Sequence, residues 1–330
     1  MRKTTVFTSA LFLLTVAFVA GQTQQQTQTG QQQQGQRQGG EAGRGRGATP
    51  PDPRDMGGGR CANSTYNCVD TANPLPAPNT VWLEEMTWMD VRDALKAGKT
   101  TMIITTGGIE PNGPWLALGK HNYVLRANCD AIARKLGNAL CAPILPFVPE
   151  GTIEPKSSHM TTVGTISMRE ETFQAILTDM VHSFKMHGFQ NIILIGDSGG
   201  NRSGMAAVAK KLNTEWNANP VVAHIPEYYD YGAVTDYIVK QGLIKEGQGD
   251  GLHDDPIITM NMMVADPNSV RWEQRVKAGK ATINGVSIAD KAKALEIGKR
   301  IVEFRADVTA TKIKEAIANK GVTTSGRGGN

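Results

Sequence analysis

A chain of 330 residues with 20% charged residues is long enough to bury a substantial core, and its formal net charge of +4 lies outside that core. Arg2 and Lys3 carry two of the charges, and the excess of Arg37, Arg44, Arg46, Arg54 and Arg60 over Glu41, Asp52 and Asp55 carries the rest. The remainder is neutral, which argues against a nucleic-acid partner.

The chain opens on Arg2 and Lys3, followed by an apolar run from Val6 to Ala20 and the small residues Val19, Ala20 and Gly21. This pattern predicts a secretory signal over residues 1–21. The run is too short and too rich in threonine for a membrane span, although an uncleaved anchor is the competing reading. The mature protein is therefore expected in a periplasm or outside the cell, with no stable membrane span.

Residues 22–80 comprise a tether rich in Gln, Gly and Pro, flexible over 22–60, and the loop CANSTYNC from Cys61 to Cys68. Such a composition buries too little surface to offset the entropy of ordering. An oxidising compartment permits a Cys61–Cys68 bridge. Cys129 and Cys141 can pair or remain buried thiols, and neither pair has the spacing of a zinc site.

From residue 81 to 320, helical and strand patterns alternate. A helix is expected over residues 88–97, stopped by Gly98, and a buried strand over 101–105 (TMIIT). A second helix covers 122–136 and ends at Gly137. A proline-interrupted strand covers 141–147. The long amphipathic helix 169–187 stops at Gly188, ahead of the clearest buried strand, 191–195 (NIILI). A helix over 201–216, a strand over 221–225 and one long or two shorter helices over 288–318 complete the pattern. Residues 321–330 read as a tail. Alternation of this kind implies an α/β domain whose mostly parallel sheet is covered on both faces.

In such sheets, sites form beyond the carboxyl ends of the strands. Three glycine-rich, polar segments occupy those positions, after TMIIT, after APILPF and after NIILI. Glu110 and His121 share the first, and both side chains suit zinc, manganese or iron. The bland alternative is a solvated Glu and a helix-capping His. Asp197, at the end of NIILI, precedes two glycines and a helix. Asn201 can cap that helix as well as Asp197 can, so capping explains Asp197 less well. His159 lies before the long helix, where a lone His is more often structural. His253, Asp254 and Asp255 follow a glycine-rich stretch and offer a proton shuttle or an acidic turn. Ser198 lacks the G-x-S-x-G elbow of a serine hydrolase.

Together these segments resemble the creatininase family of metal-dependent amidohydrolases. The family loop E-x-H-G-P-H-L-P-L-G-x-D reads here as EPNGPWLALGKH from Glu110 to His121. The family H-M-G-F-P-G-T reads as HMTTVGT from His159, and N-G-H-G-G-N reads as GDSGGN from Gly196. The late H-A-G-E-x-E-T-S is matched loosely from His253 to Met260. The resemblance implies a three-layer α/β/α fold, a homo-oligomer, commonly a hexamer, and a small-molecule amide substrate. Of the family's metal ligands in these loops, only Glu110 keeps its type and place. Asn112 replaces the first-loop His, His121 the bridging Asp, and Ser198 the His of the glycine motif. The two acids of the last motif fall on Pro256 and Ile258.

The expectation is thus a rebuilt, mononuclear site in which Glu110, His121 and Asp197 hold one zinc, manganese or iron. An imidazole cannot bridge two ions as a carboxylate can. Asp255, His253 or His159 would move protons, with Asp254 or Asp255 as a possible fourth ligand or base. Asn112, Ser198 and Asn201 would position substrate, and Trp115 would wall the pocket or sit in the core. The alternative function is a non-catalytic shell of the same fold that binds a small molecule or a partner.

Overall fold

The computed structural model describes residues 52–56, 59–251 and 253–322. The expected signal, the tether before residue 52 and the tail beyond residue 322 lie outside the described residues. The chain divides into two compact units, one up to Thr71 and one from Ala72 onward. In the first, Cys61 and Cys68 form a disulfide around a short 3-10 turn, Thr65–Asn67, capped by the Ser64 hydroxyl.

The second unit is built on four parallel strands, β1 (Thr101–Thr106), β2 (Ala139–Cys141), β3 (Asn191–Gly196) and β4 (Val221–His224), in the order β2-β1-β3-β4. The helices are α1 (Trp88–Lys96), α2 (Lys120–Leu136), α3 (Glu170–Met186), α4 (Arg202–Glu215), α5 (Tyr231–Lys240), α6 (Pro256–Ala265), α7 (Trp272–Lys277) and α8 (Lys291–Ala318). A small antiparallel pair, β5 (Thr282–Ile283) and β6 (Val286–Ser287), lies between α7 and α8.

The central strands are buried on both faces, so β1 and β3 read as continuous apolar runs rather than alternating ones. One face carries Ile103, Ile193, Ile195 and Ala223 against Leu125 and Ile132 of α2 and Ala306 and Ile313 of α8. The other carries Met102, Ile104, Ile192, Leu194 and Val222 against Phe173, Leu177 and Val181 of α3 and Met205, Val208 and Leu212 of α4. The layers are therefore α/β/α. A further core gathers the faces of α5, α6 and α7 and the first half of α8.

Two differences from expectation have local causes. The second strand spans 139–141, because Pro143 removes a ladder donor; pairing resumes only as an isolated bridge between Leu145 and Thr106. Helix α6 escaped the periodicity argument because eight of its ten residues are buried, so it has no polar face to set a period.

Cys129 and Cys141 form a disulfide that staples α2 to β2. Closing a loop of this length removes denatured-state entropy worth about 3 kcal/mol. Among the described residues no helix is long and apolar enough to cross a membrane.

Candidate active site

The site gathers side chains from segments far apart in sequence at the carboxyl ends of β1 and β3. Beyond β1, Gly107 and Gly108 lead to Glu110, and the first turn of α2 supplies Lys120 and His121. The segment after β2 supplies Glu150 and His159, the end of β3 supplies Asp197 and Ser198, and the turn before α6 supplies His253. A pocket of about 360 Å³ is lined by Glu110, Lys120, His121, Glu150, His159, Ser198, Tyr229 and His253, among others.

Glu110 is the centre of this arrangement and is only 2% exposed. Its Oε1 lies 3.0 Å from Lys120 Nζ, 2.9 Å from His121 Nε2 and 3.0 Å from His253 Nε2. Its Oε2 lies 2.7 Å from His159 Nδ1. Burial pushes the Glu110 carboxyl up. The imidazoles of His121 and His253 and the charge of Lys120 override burial and hold the carboxyl well below the usual carboxylate range.

His121 is held from its other side. Its Nδ1 is 2.9 Å from Asp197 Oδ2. Burial opposes the charged imidazole, but the carboxylates of Asp197 and Glu110 outweigh it and raise the His121 pKa. Asp197 is fully buried. Its Oδ1 accepts from Arg305 Nη2 at 2.9 Å and from the Tyr231 hydroxyl at 2.8 Å. Burial pushes Asp197 up, and the charge of Arg305, followed by His121, brings it below the ordinary value. Glu110 and His121 thus meet as expected, whereas Asp197 stands behind the imidazole with its oxygens already engaged. This geometry gives it the work of orienting His121 rather than of ligating an ion beside Glu110.

Glu150 was not singled out in the sequence. It follows Pro149 in the segment after β2, and its Oε2 is 3.0 Å from His159 Nδ1. Burial first, and then the charge of Glu110, push the Glu150 carboxyl up to about 7. An unfolded chain releases this proton near 4.5, so between the two values the folded state holds more protons and its stability falls as pH rises. In chelator, the thermal midpoint of the wild type should fall between about pH 5 and pH 8 relative to that of Glu150→Gln. Parallel profiles would show that Glu150 is already ionised at neutral pH.

Several expected site residues hold the scaffold instead. Asp255 is the N-cap of α6. Its Oδ1 accepts from the amides of Ile257 (2.7 Å) and Ile258 (3.2 Å), and its Oδ2 from those of Asp250 (2.6 Å) and Gly251 (3.1 Å). With both oxygens committed, Asp255 fixes the turn that carries His253 rather than moving protons itself. Asp254 pairs with Arg275 at 2.8 Å. Asn201 donates to the carbonyls of Thr106 and Gly107, each at 2.9 Å, and clamps β1 to β3. Asn112 donates to the Glu110 carbonyl at 2.8 Å. Both amides are fully buried, so their donors serve the backbone rather than a substrate. Trp115 packs against the core around α6 and beneath the Arg275 guanidinium, and Ser198 alone of the expected polar trio lines the pocket.

The family model for Creatininase, creatinine amidohydrolase, matches residues 84–325. The chain belongs to the creatininase family. Among solved structures, a tryptophan-to-alanine mutant of creatininase shares 18% identity, with 72% of this chain and 99% of that chain covered and a TM-score of 0.54. A putative creatinine amidohydrolase from Bacteroides fragilis shares 20%, with 73% and 97% covered and a TM-score of 0.50. A creatininase of Zn-Zn type, carrying a glutamate-to-glutamine change, shares 18%, with 73% and 99% covered and a TM-score of 0.53. At these identities the likeness shows the fold. A 3-dehydro-scyllo-inosose hydrolase from Thermotoga maritima is 25% identical over 126 residues, which span 38% of this chain and 38% of that protein.

Among the described residues of this creatininase-family fold, two groups of side chains are spaced to hold a metal ion, and both contain Glu110. One is Glu110, His121 and Glu150, all buried; the other is Glu110, His159 and His253. In each, the ligand atoms lie within 4.8 Å of one another. The buried group passes a further test. His121 Nε2, although close to Glu110, lacks hydrogen-bond geometry, and Glu150 Oε1 has no hydrogen-bond partner. Two orphaned buried ligand atoms facing a third are what a cation would satisfy. Gly108 permits their approach, because a Cβ there would stand 2.3 Å from Glu150 Oε1 and 3.0 Å from His121 Cδ2.

Proposed function

We propose that this creatininase-family protein is an exported, metal-dependent hydrolase that cleaves a C–N bond in a small amide or cyclic amide. The observation that carries the reading is the Glu110 carboxylate, within 3.0 Å of one ammonium and three imidazole nitrogens in a pocket of small-molecule size. Glu110, His121 and Glu150 would hold a divalent ion, either zinc, manganese or iron. When bound, the ion would supply Lewis-acid chemistry, making water a stronger nucleophile near neutral pH and polarising an amide carbonyl.

The chain's own residues do the rest. Asp197 accepts from His121 Nδ1 and so leaves Nε2 free to face the ion. His159 and His253, with ring centres 5.2 Å apart, stand at the half-exposed side of the pocket. They are placed to take a proton from water and to return one to the departing nitrogen. Ser198 and Tyr229 also line the pocket and offer hydroxyls. Two disulfides and the N-terminal apolar run support export. The reading extends to the homo-oligomer implied by the family resemblance.

Elemental analysis of protein purified without chelator should find a divalent ion in proportion to chain. A panel of small linear and cyclic amides should then contain at least one whose hydrolysis stops in chelator and returns with the ion. Stoichiometric ion without hydrolysis of any member would count against the amide reading. Hydrolysis untouched by chelation would count against the metal.

A further inference from the structure

Lys120 is an unfavourable residue for its place unless it has work in the pocket. It is 4% exposed and opens α2, just after the N-cap Gly119. A buried ammonium needs compensation, and the first turn of a helix is the wrong end for a cation. Its ion-pair partner among the described residues is Glu110, at 3.0 Å. The ammonium therefore sits on Oε1, the same oxygen approached by His121 and His253.

That oxygen belongs to the residue shared by both metal-spaced groups. A carboxylate with one ion on each side could serve both groups at once. The charges argue against it here. Asp197 is matched by Arg305, which leaves Glu110 and Glu150 as the carboxylates that line the pocket among the described residues. One divalent ion offsets those two charges, and the Lys120 ammonium already exceeds that balance by one. A second divalent ion would crowd two more positive charges around one shared carboxylate in a partly desolvated site.

We propose that Lys120 is a resident cation that takes the place of a second metal ion, holding the site to one ion per chain and leaving His159 and His253 free as proton carriers. The proposal rests on the metal-dependent reading above, and it adds a residue and a stoichiometry to that reading. The ammonium lines the pocket, so it is also placed to meet negative charge developing on a substrate oxygen.

The test is an ion count by mass spectrometry after equilibration with excess Mn2+ and removal of free ion. Wild type and Lys120→Arg should hold one ion per chain, and Lys120→Gln should hold two. Equal counts in wild type and Lys120→Gln, or two ions in wild type, would overturn the proposal. No ion in the wild type but one in Lys120→Gln would overturn both the one-ion count and metal dependence of the native protein. No ion in either would overturn both. Should Lys120→Gln fail to fold, the electron paramagnetic resonance of Mn2+ on wild type decides alone. Isolated Mn2+ supports the proposal, and an exchange-coupled pair overturns it.

Discussion

Glu110→Ala should empty the site of its ion and lower kcat/KM by more than about 100-fold, the upper end for residues that merely support a ligand. The loss should exceed that of a supporting residue because both metal-spaced groups contain this carboxylate. Stability should fall as well. Lys120 and Glu110 are 5% and 2% exposed at their side chains, and a buried charge left without its partner costs on the order of 3–5 kcal/mol. Part of that cost should be offset within the pocket. The charge of Glu110 helps push Glu150 up, so its removal lets Glu150 ionise more readily and face the stranded cations. The expected destabilisation therefore lies at the lower end of the range. Denaturant unfolding and an ion count on the same sample read both effects. An unchanged ion content would remove Glu110 from the site's centre and with it the proposed function.

The legibility of this site followed the distance over which each residue's environment is set. Glu110, His159 and His253 stand in segments that follow buried strands or precede helices, His121 stands in the first turn of α2, and that local setting was readable. Glu150 lay in one of the same loops, but its importance comes from burial against Glu110, which no spacing rule reports. Lys120 was hidden by its neighbour His121, because a lysine ordinarily keeps its ammonium in water and the burial of this one is set only by tertiary packing. Arg305 sits in the middle of α8, a 28-residue helix, and Tyr231 opens α5; both reach Asp197 only through tertiary packing. Without them Asp197 reads as a free carboxylate at a strand end, and so as a ligand. Asp255 is the opposite case. Asp followed by Pro at the start of an apolar segment is a helix-start signal, and the N-cap was open to a local reading.

The second large effect is expected at Arg305, which lies 108 residues along the chain from the Asp197 carboxylate it holds. Arg305→Leu should destabilise the fold by on the order of 3–5 kcal/mol, because it strands a fully buried carboxylate. The guanidinium binds Asp197 Oδ1 and the Tyr228 carbonyl, each at 2.9 Å, and lies over the rings of Tyr228 and Tyr231. Its charge is the chief opponent of burial at Asp197, holding that carboxyl below 3.8. In the wild type this contribution is present above 3.8 and is lost as pH falls through the lowered value. In Arg305→Leu burial prevails, the Asp197 pKa rises, and its carboxylate is no longer held charged behind His121. The variant should therefore bind the ion more weakly as well as unfold more easily. Adding Asp197→Asn should recover much of the stability, since the two residues form one unit, but not the ion affinity, since His121 still lacks a carboxylate. Full recovery of both would show that Asp197 serves the core alone and that His121 is oriented by something else.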